Sequence, residues 1–142
     1  MSTFGQQLRN NAVALISLAV AISGLSYNTW RNERTEHNRN VRTATFELLT
    51  RLADLQRVVY LAQYDRDVAG GNPRTGWTYV LAIHDLSAVA PTPLGSRAEE
   101  LTQVWRDNWE DLGKKDEVAV DRIDKAISGL RDATLDILRA LH

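Results

Sequence analysis

The stretch NAVALISLAVAISGLSYNTW at residues 11–30 decides how the rest of the chain is read. Between Arg9 and Arg31 the only ionisable side chain is that of Tyr27, and the middle of the run is almost wholly Ala, Leu, Ile and Val. Sixteen mostly apolar residues run from Ala12 to Tyr27, and Asn28, Thr29 and Trp30 extend the run to nineteen. As a helix, nineteen residues rise about 28 Å, just enough for a hydrocarbon core of about 30 Å. Ala12, Ile16, Ala19, Ser23, Tyr27 and Trp30 mark such a span. Tyr27 and Trp30 stand at one edge, where an amphipathic ring settles at headgroup level. Beyond them Arg31, Arg34, Arg39 and Arg42 form a basic juxtamembrane group that faces lipid, its guanidinium heads snorkelling outward. Two other readings compete with a span: the core of a cleaved secretory signal, or a helix buried inside a soluble bundle.

The rest of the chain is polar and periodic. No proline or glycine occurs between Gly24 and Gly70. Val41, Thr45, Leu48, Leu52, Leu55, Val59 and Ala62 recur in steps of four and three, a heptad-like, coiled-coil-type stripe on one helical face. The polar linker at 31–40 holds no helix breaker. The reading is therefore one helix from about Gln6 to Arg66, stopped by Gly70-Gly71-Asn72-Pro73.

A second helix is expected over 75–88, with Trp77, Val80, Leu81, His84 and Ala88 on one side. Ser96 with Glu99 reads as a capping box opening a third helix, whose face is Leu101, Trp105, Asn108, Trp109 and Leu112. Asp116 is the expected cap of a fourth helix with the stripe Val120, Ile123, Ile127, Leu130, Thr134, Ile137 and Leu141. Gly129 within it is either a weak point or a place of close approach. The expected fold is all-α: an N-terminal transmembrane helix continues into a long stalk helix, packed with three further helices as an antiparallel bundle. The parts are 1–30 as tail and span, 31–42 as polar juxtamembrane helix, and 43–142 as the helical-bundle domain.

Composition narrows the chemistry. The chain has 142 residues and no cysteine, which excludes disulfides, thiolate catalysis and cysteine-held zinc or iron. Residues 1–42 carry five basic and two acidic residues, whereas 43–142 carry twelve and sixteen. The acidic distal part makes nucleic acid a poor partner. The basic part sits where anionic headgroups would meet it. Four arginines follow the apolar run against one before it, so the positive-inside rule favours a cytoplasmic domain. A short amino tail retained inside would instead make it periplasmic.

No reaction site assembles. His84 and Asp85 are adjacent on a helix and point about 100° apart, which disfavours a dyad. Asp65 and Asp67 lack the later oxygen ligands of a calcium loop. Asp107, Glu110, Asp111, Asp121, Asp124 and Asp132 lack the Glu-x-x-His pairs of a bundle-type metal site. No catalytic residue, metal ligand or cofactor is therefore expected. The aromatic set Tyr60, Tyr64, Trp77, Tyr79, Trp105 and Trp109 reads as core, or as an interface or ligand pocket at the end remote from the membrane.

The segments LSYNTWRNE at 25–33, the helix at 41–64, GWTYVL at 76–81 and VWRDNW at 104–109 resemble a group of small uncharacterised bacterial single-pass membrane-anchored proteins with a helical domain. The resemblance implies an inner-membrane anchor and brings no reaction, ligand or catalytic residue. The functional expectation is a noncatalytic accessory or scaffold subunit whose partners are the lipid bilayer and an integral membrane protein or a second copy of itself. A membrane-anchored ligand-binding or signal-sensing bundle is the alternative, and an enzyme with a site invisible in sequence a distant third.

Overall fold

The computed structural model describes residues 11–114 and 117–141. Within them the chain is all-α. Helix α1 spans Ala12–Tyr60 and closes through a π-helical turn, Leu61–Asp65. Then come α2 (Pro73–Ala88), α3 (Leu94–Asn108) with a 3₁₀ turn at Trp109–Asp111, and α4 (Glu117–Ala140). The expected start at Gln6, the cap at Asp116, Arg9 and His142 lie outside the described residues. Two compact units divide between Arg39 and Asn40.

In the first unit the apolar run is helical from Ala12 onward and none of its most apolar window is buried. The run is therefore not a core helix of the bundle that this chain forms. It is the one helix among the described residues long and apolar enough to cross a membrane.

In the second unit the stripe of α1 is consumed internally. Val41, Thr45, Leu48, Leu52, Leu55, Val59 and Ala62 are all buried, joined by Val58. Of these, Leu48, Leu52, Leu55, Val58, Val59 and Ala62 pack with Val120, Ile123, Ile127 and Leu130 of α4 in one core. Two polar contacts fix the direction of that packing. Arg42 donates to the Leu141 carbonyl at 3.3 Å, and Gln56 Nε2 donates to Asp124 Oδ1 at 2.7 Å. As α1 ascends, α4 descends, so the two are antiparallel. Helices α2 and α3 pair the same way, with Gly76 against Trp105 and His84 beside Glu99. Thr45, Thr102 and Thr134 are polar residues in this core, and each hydroxyl donates to the carbonyl four residues back. Their burial therefore leaves no donor unpaired.

Helix α1 ends near Arg66, as expected, but the stop is set before the glycines: Arg66 is left-handed at φ 52°, and the Asp67 amide closes onto the Leu61 carbonyl at 3.0 Å. The Asp67 carboxylate then accepts from the amides of Ala69 and Gly70, and Gly71 lies against the Ala62 backbone where a Cβ would overlap it. The glycines carry the chain back across α1 after the helix has already stopped. Helix α2 opens with Asn72 capping the Arg74 amide and Pro73 at its first position. It buries Gly76, Val80, Ile83 and Ser87, while Leu81 and Ala88 face outward. The expected face was turned toward Leu81 because glycine and serine have little hydrophobicity to mark them. The capping box of α3 does not form: Ser96 donates to the Pro93 carbonyl and Glu99 turns to His84.

Gly129 is not a point of close approach. A Cβ built there meets nothing within 4 Å. Gly129→Ala is therefore expected to stabilise the bundle by about 0.5–1 kcal/mol, the usual gain from removing a helix-interior glycine. Urea unfolding followed by circular dichroism checks it, and a loss of stability would mean that α4 is covered at this point.

Candidate functional site

The apolar run of α1 has the least conventional surface in the molecule. Val13, Leu15, Ile16, Leu18, Val20, Ile22 and Leu25 are all exposed, as are Ala19 and Ser23, with Ala12 partly exposed at the start of the helix. A soluble monomer seldom presents contiguous apolar surface on this scale. At its carboxyl edge Tyr27 and Trp30 lie one turn apart with ring centroids separated by 6.1 Å. The Arg34 guanidinium carbon stands 5.7 Å from the Trp30 ring centroid, within the range of a cation–π contact. Arg31 is also exposed. Arg42 lies in the second unit, where its bond to the Leu141 carbonyl, just past the end of α4, gives it a role inside the bundle.

The six aromatics of the second unit do not form one cluster. Trp105 is 0% exposed and belongs to the core. Trp77 and Trp109 make an edge-to-face pair at 6.5 Å and pack on the outside of that core. Tyr79 packs there too. Tyr60 and Tyr64 form a separate exposed pair at 5.8 Å, with Tyr64 68% exposed. Tyr64 borders a shallow cleft with Gln63, Glu117 and Asp121, which neither Trp77 nor Trp105 lines. A pocket shared by Tyr64, Trp77 and Trp105 is thus not what the packing builds.

A cleft of about 390 Å³ lies where α1 ends and α2 begins, lined by Arg66, Asp67, Asn72, Leu112 and Lys114 among others. Sequence reading missed it because Arg66 and Lys114 are 48 residues apart and meet only through the two glycine-containing turns. Lys114 is 3.4 Å from Asp111, which shares its charge. His84 lies between two carboxylates, with Glu99 Oε2 at 3.2 Å from Nε2 and Asp85 Oδ1 at 3.6 Å from Nδ1. The expectation that Asp85 points away from His84 is corrected: the backbone vectors diverge, but the side chains swing together. The group is well exposed, so the pairing is a surface one. Among the described residues no three His, Asp or Glu side chains gather as a metal set. Asp107 is held by Gln103, Asp111 by Lys114 and Asp124 by Gln56.

The Asp124 carboxyl titrates above the ordinary carboxylate value. Burial raises it from the ordinary 3.8, the Gln56 hydrogen bond lowers it, Asp121 raises it and Arg131 lowers it. A raised carboxyl binds its proton more tightly in the fold than in the unfolded chain. Stability therefore falls as pH rises from that ordinary value through the raised one. Asp124→Asn keeps an oxygen for Gln56 and removes the charge. It is expected to raise the melting temperature at neutral pH and to lose that advantage below the window; melts across a pH series check this. An advantage that grows on acidification would show that the charged form is the favoured one.

Comparison with family models, curated proteins and solved structures gives no match.

Proposed function

We propose that the chain is a noncatalytic accessory or scaffold subunit of a bacterial inner-membrane assembly, held by α1 as a single-pass anchor. One observation carries the reading. The same helix that supplies the bundle's buried stripe also holds an apolar window with no burial at all. An isolated apolar helix of that length is stable in hydrocarbon, where all its backbone groups are satisfied internally. The arginines on its carboxyl side favour a cytoplasmic domain. The bundle uses its own stripe to fold, so partner contacts fall to the span or to the outer faces. The sensing alternative draws on the cleft beside Arg66 and Lys114 rather than on the aromatic set.

Extraction of the full-length protein from membranes in mild detergent is expected to recover a stoichiometric integral membrane partner or a defined homo-oligomer. Recovery as a lone monomer would overturn the scaffold role. Recovery from the soluble fraction without detergent would overturn the anchor.

A further inference from the structure

We propose that Arg31 and Arg34, together with Tyr27 and Trp30, form a one-sided binding collar for the phosphate of anionic phospholipids. The inference rests on the membrane-anchor reading and names the lipid class that the anchor selects.

The argument begins with helical spacing. At about 100° per residue, Tyr27, Arg31 and Arg34 fall within one sector roughly 60° wide, and Trp30 borders it. Glu33 and Glu36 lie on the other side, about 100° or more from either arginine by the same count. The segment after the apolar run is therefore not a mixed polar surface. It has a cationic side at Arg31 and Arg34, with both glutamates turned away and Arg39 falling nearer to Glu36 than to Arg31.

The contacts agree with that division. Arg34 stands over the Trp30 ring, and the Tyr27 ring lies tilted to it at 6.1 Å. Arg31 and Arg34 are both exposed, and among the described residues neither is ion-paired with a carboxylate. Elsewhere Arg51, Arg97 and Arg139 each pair with an acid three or four residues away. Two guanidinium groups three residues apart on a helix stand close enough to address one phosphate together, and the planar fork of arginine suits that anion. The aromatic rings beneath them match the depth at which glycerol and headgroup meet. The occupant that fits both an anionic head and an apolar body is a phospholipid of the surrounding bilayer.

The test reconstitutes the full-length chain in vesicles of phosphatidylcholine alone and of equimolar phosphatidylcholine and phosphatidylglycerol. Lipids retained by the protein after gentle detergent release are counted by native mass spectrometry. Incorporation into both vesicles, with phosphatidylglycerol enriched among the retained lipids, is expected. The double variant R31Q/R34Q should still incorporate but lose the enrichment, by roughly fivefold for each arginine removed. R31K/R34K should keep part of it, and E33Q/E36Q should not reduce it. Failure to incorporate in either composition overturns the anchor and this inference with it. Incorporation with no phosphatidylglycerol enrichment overturns the inference alone. Enrichment that survives R31Q/R34Q does so too, and would leave those arginines to an acidic protein segment.

Discussion

Truncating Trp105 to alanine is expected to lower the unfolding free energy of the bundle by about 3–5 kcal/mol. Domains of this size are stable by only about 5–15 kcal/mol, so the variant should sit near its folding threshold. Trp105 is fully buried on α3, and its six-membered ring occupies the place where a Cβ on Gly76 would fall. The two residues are therefore one packing unit: the missing side chain on α2 makes room for the largest side chain in the core. Its indole Nε1 is buried and has no hydrogen-bond partner. Removing that unpaired donor offsets some of the loss and draws the cost of truncation toward the lower end. Trp105→Phe should accordingly cost much less than Trp105→Ala. Gly76 supplies a sharper check. In the natural background Gly76→Ala forces the Trp105 ring to move and should destabilise. In the Trp105→Ala background the same change should instead stabilise by about 0.5–1 kcal/mol, since only the helix preference of alanine is left. Denaturant melts of the full-length protein in detergent give all four corners of the cycle. Additive effects would show that α2 and α3 are not locked through this pair.

How far the sequence discloses the fold depends on how each helix signals its buried face. Helices α1 and α4 do so with aliphatic residues at steps of three and four, and every position of the α1 stripe is buried. In α4 the stripe is buried from Val120 to Thr134 and loosens at Ile137. Helix α2 signals weakly because half of its inner face is Gly76 and Ser87. What makes Gly76 an interior residue is Trp105, 29 positions later, and no local pattern contains that information. The end of α1 near Arg66 is legible in the sequence, but the device that makes it is not. Gly70 and Gly71 announce a turn, but the left-handed Arg66 that ends the helix belongs to a residue type with no preference for that conformation. The capping box at Ser96 and Glu99 is a sound local motif, but α3 already starts at Leu94, so Ser96 lies inside its first turn and Glu99 meets His84.

The same division applies to the functional surfaces. Exposure of the apolar run is readable because nothing in the chain is long and apolar enough to cover it. In sequence the aromatic set reads as core, or as an interface or ligand pocket, and the structure divides it. Its members point to three surroundings: the core for Trp105, the core's outer layer for Trp77, Tyr79 and Trp109, and solvent for Tyr60 and Tyr64. The Arg66–Lys114 cleft and the Gln56–Asp124 bond join residues far apart in the chain, so they become visible only in three dimensions.

Placing arginines at Leu18 and Ile22 should release the protein from membranes while leaving its bundle folded. Both side chains lie near the middle of the apolar run and both are 57% exposed, so neither contributes to the core. Each arginine near the centre of a span costs about 2.5–3.5 kcal/mol of insertion free energy. Two together cost roughly 5–7 kcal/mol, a severe load for a segment of about nineteen residues that only just reaches across. The expected result is a carbonate-resistant membrane fraction reduced by an order of magnitude or more, with the excess soluble, aggregated or degraded. The thermal transition of whatever remains folded should be unchanged, because the core that melts starts at Val41. This pairing of outcomes separates the anchor from the other roles an apolar helix can take. If the run were a face for another soluble protein, the double variant would abolish that complex without changing carbonate resistance. If it were a cleaved signal, the mature chain would lack the run and the substitutions would alter processing instead of extraction. Unchanged membrane retention in L18R/I22R would mean that lipid is not what holds residues 11–30, and a partner chain would have to shield them.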